Sequence, residues 1–528
     1  MRMRAHGGFS GDVFPAMLPA VGSVPRCGRS VAPSPGRGAS DADPVRLPFL
    51  ETPGPMSLGT SRTVPLIVAI GLFMEHLDST IIATALPRMA LDLGLPPVRL
   101  NLAITTYLVA MAVFIPASGW IADRFGARRV FVGAMGLFVT GSLVCGGAPS
   151  LEILIAGRLM QGLGGALMTP VGRLVMLRSV PRAELVSAMA WLTIPALIGP
   201  VLGPPLGGFV TTVASWRWIF WINLPIGLIG MAVALAVLPE IREEEPGPFD
   251  VSGFAASAVG LSALVFAFET VGRDVVPAWA DAAAAAIGLG LVAVYVRRAR
   301  RTERPLIDLG LLRLPTFRAA VFGGSVFRLG VGALSFLLPL QLQIGFGRSP
   351  LESGLTTFIS AVGAITMKVT AKRLIDRFGF RRILVVDALL AGGFLAAIGF
   401  VGAGTPVSLL MGMLLLGGFF RSLEFTAINA IAFSDVSEAE MSRATAFSSM
   451  MQQLSLSAGV ALGASTLHVL SAGSAAPPSA LDFSIALGAI GALSMVSAVL
   501  FARLPTDAGA ALTARGRGAV SEAGVKRT

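Results

Sequence analysis

From Val64 onward the chain alternates long apolar stretches with short polar or glycine-rich breaks. About fourteen of these stretches can cross ~30 Å of hydrocarbon at ~1.5 Å per residue. Their approximate limits are 64–87, 100–122, 130–148, 151–177, 184–211, 216–238, 251–271, 278–297, 317–342, 351–375, 382–402, 407–431, 443–471 and 481–504. Over such lengths in lipid only a helix satisfies its own backbone, so the pattern predicts an all-α polytopic membrane protein. Residues 1–62 have no such pattern. They are rich in Pro, Gly, Ser and Arg, a composition that buries too little surface to offset its ordering entropy, and a disordered tail is predicted there. Translation from Met56, just before the first span, is the alternative. A secretory signal fits poorly, because Pro15 and Pro19 interrupt the stretch that follows Arg2 and Arg4.

Composition agrees with the pattern. Hydrophobic residues make up 54% of the 528 residues and charged residues 13%, against about 25% charged in soluble domains. The net charge of +11 is spread over short loops and lacks the concentrated basic face of a nucleic-acid binder. Cys27 lies in the polar tail and Cys145 inside an apolar run, so neither a disulfide framework nor a cysteine metal site is implied. No cofactor or metal is expected.

The basic loops set an orientation. DRFGARR (Asp123–Arg129), RSVPR (Arg178–Arg182), RRARRTER (Arg297–Arg304) and KRLIDRFGFRR (Lys372–Arg382) all fall on one side of the spans. The excess of Lys and Arg in cytoplasmic loops makes that side the cytoplasm and places both termini there. The acidic loop PEIREEEPGPFD (Pro239–Asp250) shares that side but carries little weight in the rule. The DRFG-x-RR loop recurs, at Asp123 and again at Asp376, each time after the second span of a six-span block. Two related halves are therefore predicted: a six-helix bundle over 63–238, an inserted helix pair with linkers over 239–316, a second six-helix bundle over 317–505, and a cytoplasmic tail over 506–528.

Five stretches in order carry a resemblance: LDSTIIATALP (Leu77–Pro87), GWIADRFGARR (Gly119–Arg129), RLMQGLGGA (Arg158–Ala166), GPVLGPPLGG (Gly199–Gly208) and WRWIFWINLPIG (Trp216–Gly227). Together they resemble the major facilitator superfamily, and the span count with its inserted pair is similar to that family's fourteen-span drug:proton antiporter branch. The first stretch departs from many members in carrying Ala83-Thr84 where they have an asparagine. The resemblance covers about residues 62–505. It implies a span 4 arginine at the coupling site, a span 5 segment (Gly199, Pro200, Gly203, Pro204, Gly207, Gly208) that shapes antiporter packing, and an Asp123 that meets a helix N-terminus in the opposite half.

Ionisable groups inside spans are functional candidates because each costs about 2.5–3.5 kcal/mol to insert. Span 1 holds Glu75, His76 and Asp78. Glu75 and Asp78 lie one turn apart on one face, and two carboxylates that close in low dielectric do not both stay ionised. They either load protons or line a wet crevice and join helices. His76 points to another face and reads as packing. Asp78 lies ~13 Å from the outer end of span 1 and Arg158 ~10 Å from the outer end of span 4, so Arg158 could hold Asp78 ionised and release it when proton or substrate arrives, or could form a static pair. Gln161 would join that network or pack.

The second half offers Arg328, ~16 Å into span 9, and Arg421 with Glu424 in span 12, within ~15 Å of the cytoplasmic side. Arg421 and Glu424 are expected to pair with each other. An unpaired Arg328 on the substrate path would favour an anionic substrate. Asp387 and Lys368 are expected to pair or snorkel near span ends. Phe336, Phe419 and Phe420 would contact an apolar substrate or pack. The candidate cytoplasmic gate is Gly119, Asp123, Arg124, Gly126, Arg128 and Arg129, with Asp376, Arg377 and Gly379 as its repeat. There Asp123 gains from a helix dipole and the arginines latch one state by ion pairs or only anchor topology.

The function expected is proton-coupled efflux of amphipathic, drug-like compounds across a bacterial inner membrane by alternating access. Export or facilitated movement of an organic anion or metabolite is the alternative. A membrane-embedded enzyme or sensor is remote, with only His6, His76 and His468 as histidines and no HExxH or Walker motif. Expected partners are a small-molecule substrate, protons and membrane lipid, with no nucleic acid, and the protein is expected to be a monomer.

Overall fold

The computed structural model describes residues 60–95, 97–243, 247–271, 276–302, 305–402, 404–471 and 478–513. Nearly all of the expected disordered tail, the alternative start at Met56, Cys27 and the tail beyond residue 513 lie outside the described residues. The described chain is helical throughout, with no strand among the described residues. In order, the spans are Thr60–Leu93 (span 1), Pro97–Phe114 continued by Ser118–Phe125 (span 2), Ala127–Gly146 (span 3), Leu151–Ser179 (span 4), Leu185–Val213 (span 5) and Trp218–Trp221 with Asn223–Val237 (span 6). Val251–Thr270 (span 7) and Ala278–Ala299 (span 8) follow. Then come Pro315–Leu340 (span 9), Pro350–Phe378 (span 10), Phe380–Gly399 (span 11), Val407–Ile431 (span 12), Met441–Ser471 (span 13) and Ala480–Met495 with Ser497–Phe501 (span 14).

Four spans depart from the continuous helices that hydropathy predicts: spans 6 and 14 are interrupted at Ile222 and Val496, and spans 2 and 9 depart further. Span 2 breaks at a 3-10 turn over Ile115–Ala117, because Pro116 lacks an N–H and its ring clashes with the preceding turn. Span 9 carries Pro339 near its end and runs on as a π turn over Gln341–Gly345.

The loop repeat has a structural counterpart. Span 1 packs on span 5, 2 on 4, 3 on 4 and 3 on 6; the same pairings recur as 9 on 13, 10 on 12, 11 on 12 and 11 on 14. Gly126 and Gly379 join the helices on either side of each repeated loop at φ 92° and 79°, a region that costs glycine little and other residues more. The halves meet where spans 2 and 4 touch span 13 and where span 5 touches spans 10 and 12. Span 7 of the inserted pair lies against spans 2 and 13, and span 8 packs chiefly on span 7. Only 11% of the apolar window of span 8 is buried. Such an apolar, unburied helix, with Leu289 among its exposed residues, is stable facing hydrocarbon, as are the exposed Leu228, Ile229 and Leu235 of span 6.

Candidate functional site

In the first half, four spans converge on Asp78. Its carboxylate accepts from Arg158 Nη1 at 2.5 Å, from Gln161 Nε2 at 2.9 Å and from Asn223 Nδ2 at 3.0 Å. Arg158 also donates to the Ala103 carbonyl at 3.2 Å and to Gln161 Oε1 at 3.0 Å, and it lies 4.2 Å from the Tyr107 ring centroid. Ser142 accepts from Gln161 at 2.7 Å and from Asn223 at 3.2 Å. All these side chains are essentially without solvent exposure. Both carboxylate oxygens of Asp78 therefore have donors, one of them the Arg158 guanidinium, the charge-assisted kind of hydrogen bond.

Glu75, one turn toward the DRFGARR side, has a poorer environment. Its Oε2 accepts from Thr169 Oγ at 2.7 Å. Arg173, one turn beyond Thr169 on span 4, acts on it electrostatically. Arg173 also reaches across to span 13, where it donates to Ser449 Oγ at 3.5 Å. His76 is turned away and its Nδ1 bonds its own helix at the Leu72 carbonyl, 2.8 Å away, in line with a packing role.

Span 5 holds span 1 close. A Cβ at Gly199 would stand 2.9 Å from the Leu77 amide nitrogen and one at Gly203 would stand 2.2 Å from Thr80 Oγ. At Gly208 nothing lies within 4 Å, so not every glycine of GPVLGPPLGG serves this approach. Gly207 is buried, and the side chains of Pro200 and Pro204 lie outside the described residues.

At the loop end the halves are tied together. Asp123 accepts from Ser442, the second residue of span 13, and lies 3.7 Å from Arg178. A Cβ at Gly119 would stand 2.7 Å from the Ser442 carbonyl oxygen. Arg178 donates to the Glu438 carbonyl at 3.0 Å, and Arg182 to the carbonyls of Ser434 and Val436, both at 2.9 Å. Asp123 thus sits at the start of a helix in the other half, where the dipole favours an anion. Among the described residues, Arg128 and Arg129 do not bridge the halves. They pair with Glu240 of the acidic linker at 3.5 and 3.4 Å, and the same linker hydrogen-bonds the loop through Ala127 N to the Ile241 carbonyl at 2.8 Å. Arg124 is exposed. In the repeat, Asp376 pairs with Lys372 of its own span at 3.0 Å, and Arg377 stacks on Phe378.

The second half differs from the expectation. Arg421 does not pair with Glu424; it donates to Ser360 Oγ of span 10 at 2.5 Å. Residues three apart on a helix lie within ~60° of each other around the axis, yet here one side chain meets span 10 and the other span 11. Glu424 instead faces Asp387 of span 11, which is fully buried and does not snorkel. Lys368 is also buried and donates to Thr426 Oγ at 2.6 Å. Arg328 donates to Asn429 Oδ1 at 3.2 Å and lies 5.5 Å from the Phe425 ring. Phe420 stacks on Phe394 and lies edge-on to Phe419. Sequence reasoning missed Ser142, a lone polar residue in an apolar run, Asn223, which lies unremarked inside the WRWIFWINLPIG stretch, and the cross-half donors Arg178 and Arg182.

Comparison with known proteins follows from this geometry. A family model described as Major Facilitator Superfamily matches residues 68–318 and 320–524. MdtD of Serratia proteamaculans (strain 568), provisionally named a multidrug resistance protein, is 38% identical over 446 residues, 84% of this chain and 93% of its own length. MdtD of Klebsiella pneumoniae subsp. pneumoniae, named likewise, is 37% identical over 455 residues, 85% of this chain and 96% of its own. Among solved structures, the human organic anion transporter MFSD10 aligns with a TM-score of 0.62 at 18% identity, over 84% of this chain and 99% of that one. The proton:xylose symporter XylE aligns with a TM-score of 0.60 at 16% identity, over 85% and 97%.

Proposed function

The chain belongs to the Major Facilitator Superfamily, and from that premise we propose that it exports amphipathic, drug-like compounds across a bacterial inner membrane in exchange for protons, by alternating access. It is a secondary transporter and not an enzyme. In this reading the first bundle spans 63–238, the inserted pair 239–316 and the second bundle 317–505, and both termini are cytoplasmic because the basic loops lie on their side. The observation that carries the mechanism is the unequal treatment of two carboxyls one turn apart. Asp78 has Arg158, Gln161 and Asn223 as donors, whereas Glu75 has the Thr169 hydroxyl.

Glu75 is accordingly the group that loads and unloads the proton, with Asp78 and Arg158 fixing the helix positions and the local charge. Arg173 couples the proton to the conformation. When Glu75 is neutral, Arg173 is free to bond Ser449 and the halves stay tied at the loop end. When Glu75 loses its proton, the carboxylate draws Arg173 back and weakens that tie. Gln161 and Arg158 border the first-half path, while Arg328, Arg421 and Glu424 border it in the second half. The repeated loops, with Asp123 on the first turn of span 13, gate the cytoplasmic mouth. A second reading is export of an organic anion, favoured by Arg328, whose hydrogen-bond partner is the neutral Asn429.

The test is Glu75→Gln in proteoliposomes. The reading expects substrate-for-substrate exchange to persist while an imposed pH gradient no longer drives uptake. Gradient-driven transport equal to the parent's removes Glu75 from the coupling.

A further inference from the structure

The described second half contains two carboxyls that the mechanism above does not use as a pair. Asp387 on span 11 is 2% exposed and Glu424 on span 12 is 0% exposed. The two carboxyl groups lie within hydrogen-bonding reach of each other, with the Glu424 main chain beside Asp387. None of their four oxygens receives a hydrogen bond from a third residue among the described residues. Two ionised carboxylates so placed are acceptor facing acceptor, repelling each other in a medium that solvates neither. A single proton changes this, because the O–H of one acid then donates to the carboxylate of the other.

The cations nearby do not substitute for that proton. Arg328 of span 9 acts on Glu424 electrostatically but donates to Asn429. Lys368 of span 10 is committed to Thr426, and Arg421 of span 12 to Ser360. Spans 5 and 14, which pack against span 12 and span 11, bring no titratable side chain to the pair: span 5 contains none, and span 14 has only Asp482, at its far end.

A small cavity lies one helical turn from the pair. With about 20 Å³ of room for water, it is lined by Phe327, Ala391, Arg421 and Ser494, among others. One water needs roughly 10–15 Å³. Ala391 lies one turn from Asp387 and Arg421 one turn from Glu424. Other lining residues, Leu395, Ile398 and Gly417, continue from there toward the end of the bundle opposite the DRFGFRR loop.

We propose that Asp387 and Glu424 form a second proton-binding site, one proton shared between two carboxyls and reached through the cavity above them from the face opposite the basic loops. It lies in the half that does not contain Glu75, so each half carries its own proton. The inference adds to the function proposed above without depending on Glu75.

The test is infrared spectroscopy of the full chain in lipid at neutral pH, read at the carbonyl stretch of protonated carboxyls. In Glu75→Gln, which leaves the pair intact, the band is expected to remain; its absence there overturns the proposal while leaving the role of Glu75 to its own assay. Asp387→Asn and Glu424→Gln, each added to the Glu75→Gln background so that Glu75 gives no band of its own, are each expected to lose the band, because the new amide N–H₂ donates to the remaining carboxylate. Survival of the band in either variant overturns the proposal, and either variant suffices if the other fails to assemble. A band in the parent that disappears on adding sodium alone assigns the pair to a metal cation and also overturns it.

Discussion

Asp78→Asn exposes how much of the first half rests on one buried charge pair. Both side chains of the Asp78–Arg158 pair are 0% exposed. The isosteric amide keeps one acceptor and replaces the other with a donor. Turned one way, its N–H₂ faces Arg158 Nη1, which stands 2.5 Å from the present oxygen. Turned the other way, it faces Gln161 and Asn223, at 2.9 and 3.0 Å. Either orientation sets donor against donor and leaves the guanidinium without a countercharge. Breaking a buried pair from one side costs about 3–5 kcal/mol, or roughly two to four powers of ten in the folding equilibrium at ~1.4 kcal/mol per decade. A double-mutant cycle separates the pair from general damage. Arg158→Met removes the stranded cation, so Asp78→Asn in that background costs less, with an expected coupling of about 0.5–3 kcal/mol. Unfolding of the full chain in mixed micelles, followed by tryptophan fluorescence, reads all four corners. Additivity within ~0.5 kcal/mol would refute the reasoning, since it would mean that Arg158 does not depend on Asp78 for its charge balance.

Other consequences follow from the close approaches and the loop contacts. Gly203→Ala places a Cβ 2.2 Å from Thr80 Oγ and is expected to cost about 1–3 kcal/mol in the same unfolding assay, while Gly208→Ala, with nothing within 4 Å, changes stability by less than about 0.5 kcal/mol. Gly119→Val pushes on the Ser442 carbonyl 2.7 Å from the new Cβ; labelling of a cysteine introduced at the loop-side mouth is expected to speed up, and unchanged labelling would separate Gly119 from the gate. Glu240→Gln frees Arg128 and Arg129, whose side chains are 32% and 71% exposed. Such exposed pairs contribute at most about 1 kcal/mol, and the difference from the parent is expected to vanish at high salt.

The helices themselves were legible because lipid enforces apolar runs of fixed minimum length, and that rule needs no tertiary knowledge. Depth counting along two antiparallel spans put Asp78 and Arg158 at one level, and the structure has them in contact. What hydropathy could not supply was which face meets which neighbour. Arg421 and Glu424 look like a pair on one helix, yet one turns to Ser360 of span 10 and the other to Asp387 of span 11. Asn223 and Ser142 are single polar residues in apolar runs, a pattern that packing alone also produces. Arg128 and Arg129 sit in the loop where a latch was expected, but the acidic linker, which carries little weight in topology, takes up their charge.

Simultaneous recording of substrate efflux and internal pH in proteoliposomes holding the full chain tests the central claim most directly. Each addition of transported substrate is expected to drive protons in the opposite direction, and dissipating the pH gradient is expected to stop accumulation against a concentration difference. Accumulation that continues at the same rate after the gradient has collapsed would contradict proton exchange, whatever the fold.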